Sequence, residues 1–141
     1  MDQFIKLYFS EKKNLFDLLD LRSIKILVEK VIATYEKDGI VFTLGNGGGA
    51  SVANGFAVDL KTHPFTHEDK SLTTEIRRLK VIDFSESNGI LTGISNDIGP
   101  EFMFSEQFKN WAIKGNPCLK DNILIAFSGS GNSKNVLLVL V

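Results

Sequence analysis

The sequence has little of several features that define large classes of protein. Its 141 residues include a single cysteine, Cys118, so no disulfide can form within one chain and the reducing cytoplasm is the expected compartment. No apolar run approaches the roughly 20 residues that cross a bilayer, and the first residues lack the pattern of a secretion signal. Lysine and arginine (16) nearly balance aspartate and glutamate (17), so the chain has no net positive charge that would favour binding to nucleic acid or an anionic membrane. The length suggests one globular domain.

The apolar pattern predicts helices and strands in alternation. Spacings of three and four residues predict an N-terminal helical segment over residues 1–39, with Gly39 ending its last helix. Short apolar runs predict strands at 40–44, 79–83 and 122–127. Helices are expected near 50–60, 86–95, 101–114 and 134–141, with an exposed loop over 63–78. This order predicts a doubly wound α/β fold with a mainly parallel sheet, in which ligands bind beyond the carboxyl ends of the strands.

The first strand runs into a glycine-rich loop. Residues 45–51 read Gly-Asn-Gly-Gly-Gly-Ala-Ser, and a helix follows directly. Glycines bare backbone N–H groups and permit turns that aim several of them at one point, which suits an anion or a sugar. A plain strand-to-helix turn is the alternative. The loop lacks the Gly-Lys-Ser/Thr of a P-loop, and only Asp83 is available as the acidic residue of a dinucleotide site, so nucleotide binding is disfavoured.

The third strand runs into a serine-rich loop. Residues 128–133 read Ser-Gly-Ser-Gly-Asn-Ser and again precede a helix. Three hydroxyls and free amides can hold a phosphate without arginine or lysine. A serine-rich turn alone is often only a helix cap, but the same design after two separate strands favours phosphate.

Taken in order, these motifs resemble the sugar isomerase (SIS) domain. The two loops, with Ser-Asn-Asp at 95–97 between them, are similar to those of sedoheptulose 7-phosphate (phosphoheptose) isomerases. That family has Gly-Asn-Gly-Gly-Ser, then Asn-Asp before an aromatic-rich helix, then Ser-Thr-Ser-Gly-Asn-Ser. The resemblance runs from about Ile40 to the end of the chain.

The resemblance implies a set of site residues. Ser128, Ser130 and Ser133 are expected to hold the phosphate. The residues expected at the sugar are Asn46, Gly47, Gly48, Asn96 and Asp97. The position of the family's catalytic glutamate holds Asp59, whose carboxylate sits one methylene further back. Asp59 is therefore the expected catalytic base, and a solvated carboxylate on an exposed helix face is the alternative.

The resemblance gives no certain cofactor. Several members bind a divalent metal, zinc, through a histidine at the position that Gly55 occupies here. His63 and His67 have a spacing that suits a metal only on a helix, and Pro64 between them opposes a helix. A surface loop is the better interpretation of this segment.

The sequence reads as the first part of a longer domain. The family's second catalytic group, a histidine, lies in a C-terminal helix beyond the matched segment. The run 122–127 is apolar on both faces, as is typical of a central strand, and residues 136–141 are all apolar. We expect a single SIS domain, with residues 1–39 as its helical segment and 40–141 as the first part of its core. A degraded family member is the alternative.

The implied function is aldose–ketose isomerisation of sedoheptulose 7-phosphate to heptose 7-phosphate, which supplies heptose for lipopolysaccharide. The expected partners are a phosphorylated sugar and further copies of the chain in a dimer or tetramer, with no nucleic acid and no membrane. The alternative is a non-catalytic SIS module that binds proteins as a regulator, for example of replication initiation. Gly55 favours the alternative, and the intact serine loop favours a ligand.

Overall fold

The computed structural model describes residues 1–69, 71–72, 74–112 and 120–140. Cys118 and the end of the predicted helix 101–114 lie outside these ranges. The elements in chain order are α1 (Asp2–Asp17), α2 (Leu21–Glu36), β1 (Ile40–Gly45), α3 (Gly48–Thr62), β2 (Lys80–Asp83), α4 (Asn88–Asp97), α5 (Ser105–Lys109), β3 (Ile123–Phe127) and α6 (Lys134–Leu137). Short 3-10 turns cover His63–Phe65 and Pro100–Phe102. The chain divides into two compact units, Met1–Lys30 and Val31–Val141.

The three strands form one parallel sheet in the order β2-β1-β3. β1 lies at the centre, and Val41, Phe42, Thr43 and Leu44 are fully buried. β3 pairs with β1 alone among the described strands, and each of its residues is half-buried. Its apolar side chains pack on both faces, and among the described residues no strand pairs with its outer edge. That 122–127 is a central strand of a longer domain therefore stays a prediction.

Alternate residues of the strands feed two apolar clusters, one on each face of the sheet. Phe42 and Leu44 pack with Phe84, Phe104 and Val136, on the face covered by α4, α5 and α6. Val41 and Val81 pack with Ala57, Phe65 and Leu79, together with Tyr35 and Leu60, on the face covered by α3 and the end of α2. This alternation follows from the two-residue period of a strand. It gives a three-layer α/β arrangement, which confirms the predicted fold class.

The end of α2 differs from the prediction. Asp38, not Gly39, takes the left-handed conformation, with a φ of 59°. The Gly39 N–H donates to the Thr34 carbonyl at 2.8 Å, which closes a Schellman-type turn. Gly39 is needed for a different reason: a Cβ there would lie 2.1 Å from the Asp121 carbonyl oxygen. The glycine thus allows the close approach of the chain before β1 to the chain before β3.

The helix predicted over 101–114 is shorter than expected. Gly99, with a φ of 146°, and Pro100 begin a 3-10 turn, and α-helix extends only over Ser105–Lys109. Proline suits the first position of such a turn because its φ is fixed, but it has no N–H that could bond to a preceding helical turn. The same region holds Phe104, which is buried in the core beside Phe42.

The N-terminal unit consists of α1 and the first part of α2. Neither α1 nor the Leu21–Lys30 part of α2 holds a buried residue, and the large apolar side chains exposed there include Phe4, Leu7, Phe9, Phe16, Leu19, Ile24 and Val28. Asp20 precedes α2 and accepts a hydrogen bond from the Arg22 N–H at 3.0 Å, as a helix cap does. In the part of the chain that the structure describes, no helix is long and apolar enough to cross a membrane.

Candidate functional site

The glycine loop is a tight turn between β1 and α3. Gly47 takes a φ of 51°, which side chains rarely adopt, and the Gly49 N–H donates to the Asn46 carbonyl at 2.8 Å. A Cβ on Gly49 would lie 2.7 Å from the Phe127 carbonyl oxygen, at the end of β3. The start of α3 therefore approaches the end of β3 so closely that only glycine, which has no Cβ, fits at position 49.

A buried hydrogen-bond network stabilises the start of this loop at Gly45, the last residue of β1. The Ser85 hydroxyl accepts from the Gly45 N–H at 2.9 Å and donates to the Gly45 carbonyl at 3.1 Å. The Asp83 carboxylate in turn accepts from the Ser85 N–H at 2.8 Å and from the side-chain amide of Asn54 on α3. Asp83 is thus a buried structural group at the end of β2, and the structure gives it no place at a nucleotide ribose.

The serine loop is a compact turn with its own internal contacts. The Gly131 N–H donates to the Ser128 hydroxyl at 3.1 Å, and the Asn132 N–H donates to the Ser130 hydroxyl at 3.2 Å. The Ser128 and Ser133 hydroxyl oxygens lie 3.5 Å apart. Gly131 takes a φ of 67°, which turns the chain back towards α6. The three predicted phosphate ligands are therefore brought together in one turn.

The glycine loop and the first turn of α6, which directly follows the serine loop, meet at the carboxyl ends of β1 and β3. The side-chain amides of Asn46 and Asn135 exchange two hydrogen bonds, each 2.9 Å long. In a sheet of order 2-1-3, β1 and β3 are the neighbours between which ligands are expected. The structure thus places both predicted loops at the same point of the fold.

A cavity of about 560 Å³ opens beside the glycine loop. Its lining residues are Gly45, Asn46, Gly47, Ala50, Leu91, Thr92, Ser95, Asn96, Met103 and Phe104. Three predicted sugar ligands, Asn46, Gly47 and Asn96, thus share one cavity. Asp97 lies next to it and accepts a hydrogen bond from the Asn96 side chain at 2.8 Å, whereas Gly48 belongs to the first turn of α3 outside this lining.

A smaller cavity of about 320 Å³ adjoins the first and shares Met103 with it. Its other lining residues are Pro100, Glu101, Lys134 and Asn135. The Lys134 ammonium lies 3.1 Å from the Glu101 carboxylate. The backbone N–H of Glu101 itself, followed by the Lys134 ammonium, lowers the pKa of the Glu101 carboxyl. Glu101 is therefore a carboxylate at neutral pH.

The expected base lies apart from these cavities. Asp59 is on the face of α3 that points away from the sheet, and its side chain is 64% exposed. Its carboxylate pairs with His63 Nδ1 at 3.0 Å. The buried face of α3 is marked instead by Ala53 and Ala57. No other predicted site residue has a described contact with Asp59.

The described residues do not fit the metal that the resemblance implies. Gly55 offers no ligand, and Asp59 and His63 supply two donors that bind each other. Among the residues with a described position, no three histidine, cysteine, aspartate or glutamate side chains cluster closely enough to hold a metal ion. His67 accepts a hydrogen bond from the Asp69 N–H at 3.0 Å in the exposed segment after α3.

Three residues of this site were not predicted from the sequence. Asn135 and Lys134 follow the serine loop directly, and Ser85 follows the second strand. The sequence could have indicated these residues, because each follows the end of a strand and the carboxyl ends of parallel strands lie at one edge of the sheet. Their partners, however, lie on other elements, and only the strand order and register bring them together.

Comparison with known proteins adds independent information. The chain is 39% identical over 126 residues to a phosphoheptose isomerase of Helicobacter pylori strain P12, a match that covers 89% of this chain and 57% of that protein. It is 37% identical over 129 residues to one of Campylobacter concisus, covering 92% of this chain and 58% of the relative. The chain therefore spans a little over half the length of these curated relatives. No protein-family model matches it.

Solved structures share the fold. The phosphoheptose isomerase GmhA from Neisseria gonorrhoeae superimposes with a TM-score of 0.71 at 24% identity, over 99% of this chain and 66% of that one. A phosphoheptose isomerase from Francisella tularensis gives a TM-score of 0.75 at 22% identity with the same coverage. By sequence and by fold, the chain is a phosphoheptose isomerase-like homologue of the sugar isomerase (SIS) family.

Proposed function

We propose that this chain binds a phosphorylated sugar and carries part of the site of a phosphoheptose isomerase, which interconverts sedoheptulose 7-phosphate and heptose 7-phosphate. The observation that carries the proposal is the contact between Asn46 of the glycine loop and Asn135 of α6, which brings the glycine loop beside the serine loop that precedes α6. Relatives named phosphoheptose isomerase at 37–39% identity support it.

The two ends of the substrate would lie in different parts of this site. The hydroxyls of Ser128, Ser130 and Ser133 can donate to phosphate oxygens without a metal. The amides of Asn46 and Asn96 suit sugar hydroxyls, because an amide both donates and accepts. The adjoining apolar wall of Leu91 and Met103 excludes water from one side of the larger cavity.

Isomerisation moves a proton between adjacent carbons of the open-chain sugar. A base removes the proton from the carbon next to the carbonyl while the carbonyl oxygen gains a proton, which gives the enediol. An acid then protonates the former carbonyl carbon as the hydroxyl on the first carbon loses its proton and becomes the new carbonyl. We propose Asp59 as the base. Asp59 lies eleven residues beyond Gly48, or about 16 Å along the helix axis at 1.5 Å a residue. The reacting carbons would therefore lie along α3, away from the phosphate.

We further propose that the protein is cytoplasmic and forms homo-oligomers, as a dimer or a tetramer. The exposed apolar side chains of α1 and α2 support association, because a contiguous apolar surface marks an interface. An interface over α3 would also enclose Asp59, whose side chain faces outward in the single chain.

The proposal is tested by calorimetric titration with sedoheptulose 7-phosphate. The double variant Ser130→Ala/Ser133→Ala should lose measurable binding, because two hydroxyl donors to the phosphate are gone. Ser10→Ala in α1 is the matched control and should bind as the unaltered protein does. Thermal unfolding shows whether each variant is folded. Unchanged affinity in the folded double variant would contradict the proposed phosphate site, and isomerisation followed by NMR of the sugar tests the activity itself.

A further inference from the structure

We propose that Lys134 is the cation that pairs with the phosphate of the ligand. In the free protein its ammonium pairs with the Glu101 carboxylate instead, and when the ligand binds, the ammonium leaves Glu101 for the phosphate. This inference rests on the proposed function, since it concerns the same ligand. Nothing in the serine motif requires a lysine, because hydroxyls and amides alone can form a neutral phosphate site.

The position of Lys134 carries the first step. It follows Ser133 directly in the chain and lines the smaller cavity with Asn135, whose side chain bonds Asn46 of the glycine loop. The Lys134 side chain is 73% exposed, and its ammonium ends on Glu101 at 3.1 Å. Four flexible methylenes allow such an ammonium to change partner without moving the backbone.

The charge of Glu101 carries the second step. Its side chain is 31% exposed and lines the cavity next to the serine loop. A bare carboxylate there would repel a phosphate dianion, because like charges disfavour binding unless a cation screens them. Asp97, at the end of α4 just before the Glu101 turn, adds a second negative charge nearby. Lys134 neutralises Glu101 in the free protein, and in the complex it pairs with the stronger anion.

This arrangement predicts that the two single variants change the affinity for phosphate in opposite directions. Lys134→Met removes the cation and leaves the carboxylate bare, so affinity for inorganic phosphate should fall about threefold to tenfold at low salt. Glu101→Gln removes the competitor and the repulsion, so affinity should rise about threefold. The double variant should lie between the two. Lys134→Arg keeps the charge and should retain most of the affinity.

The experiment is a calorimetric titration of the whole chain with inorganic phosphate at low and at physiological salt. Lys80→Met is the matched control, because Lys80 also forms an exposed ion pair, with Asp38, at the opposite, amino end of the strands. The difference between the Lys134 and Glu101 variants should shrink at the higher salt, where screening is stronger.

The outcomes separate the two proposals. If the unaltered protein binds phosphate and both single variants match it, the role of Lys134 is overturned while the serine site stands. If both variants weaken binding, the ion pair is only a structural tie between α6 and the Pro100–Phe102 turn, and the exchange is again overturned. If the unaltered protein does not bind phosphate, the proposed site itself fails, and the role of Lys134 fails with it.

Discussion

Asn46 and Asn135 are 89 positions apart in the chain, and their amides form a reciprocal pair of hydrogen bonds. In this pair each side chain donates one N–H from its Nδ2 and accepts one hydrogen bond at its Oδ1. Each retains one free N–H and one acceptor lone pair for a ligand. The pair therefore fixes the orientation of Asn46 at the edge of the larger cavity while leaving it able to contact a sugar.

The coupling between these two asparagines can be measured. We expect Asn46→Ala and Asn135→Ala to cost about the same stability singly, and the double variant to cost less than their sum by about 0.5–1 kcal/mol. Urea unfolding of the four proteins gives this coupling energy. Asn132→Ala, in the serine loop just before α6, is the control, and strict additivity of the Asn46 and Asn135 variants would show that the amide pair contributes nothing.

Gly49 should not tolerate a side chain. In Gly49→Ala the new methyl would meet the Phe127 carbonyl at 2.7 Å, and backbone cannot swing aside as a flexible side chain does. We expect a loss of about 1–3 kcal/mol in the free energy of unfolding. Gly48→Ala is the matched control, because a Cβ at Gly48 has no heavy atom within 4 Å. Equal stability of the two variants would contradict the close approach of α3 to β3.

The hydroxyl of Thr43 is a buried polar group with no partner. Thr43 is 0% exposed in the central strand, and its Oγ1 makes no hydrogen bond in the structure described. An unsatisfied buried hydroxyl costs about 1–3 kcal/mol, so Thr43→Val should stabilise the fold by about 1 kcal/mol. Thr43→Ser keeps the hydroxyl and loses a buried methyl, so it should destabilise by a similar amount. Thermal unfolding of both variants shows whether each raises or lowers the stability of the fold.

Asp38 should contribute to acid sensitivity. The Lys80 ammonium, followed by the Arg77 guanidinium, holds the pKa of Asp38 below its ordinary value. The unfolded chain regains the ordinary pKa of about 4 and binds the proton first, so this contribution is full above about pH 4 and is lost as pH falls through the lower folded value.

The variant Asp38→Asn isolates that contribution, since asparagine also tolerates the positive φ at this position. We expect lower stability than the unaltered protein at pH 7 and a shallower decline in stability below pH 4. Denaturant unfolding at a series of pH values measures both. Asp17→Asn in α1 is the control, and an unchanged acid slope in Asp38→Asn would contradict the ion-pair explanation.

Asp59 offers a test of the proposed base by lengthening its side chain. Asp59→Glu moves the carboxylate outward by one methylene and should raise the isomerase kcat with little change in KM, because misplacement of about 1 Å can cost roughly a hundredfold in rate. Asp59→Asn should lower kcat by about 10²–10⁴-fold. His63→Ala removes the surface pair alone and should leave kcat close to that of the unaltered protein. Equal rates in all three would make Asp59 a solvated helix carboxylate.

Much of the sheet, and the positions of the two loops, could be predicted from local pattern. The runs around Phe42, Val81 and Leu124 could be recognised as strands because their apolar residues match a buried strand, and the two loops followed from their place after such runs. Local pattern does not contain the register between strands. The pairing of Asn46 with Asn135, and the meeting of Lys134 with Glu101, depend on which strands are neighbours.

The predictions for Gly39 and Asp59 failed or stayed open for related reasons. Gly39 was predicted as the residue that ends α2, but its role is to admit the Asp121 backbone, a contact that no local pattern reveals. The orientation of Asp59 depends on how α3 is rotated against the sheet. Ala53 and Ala57 indicate that rotation only once they are known to be the buried pair.

The strand order has a consequence for the kinetics of folding. The pairing of Val41 with Ile123 spans about twice the length of chain that separates Ile40 from Lys80. Closing the larger loop costs more chain entropy, and β3 sits at the rim of the described sheet, held by one neighbour. We therefore expect the β1–β2 pair to form first and the serine loop to acquire its place only when β3 docks. Detachment of β3 alone would separate Asn135 from Asn46 while the β1–β2 pair persisted, so we expect the proposed ligand site to be less protected against local opening than the core beneath it.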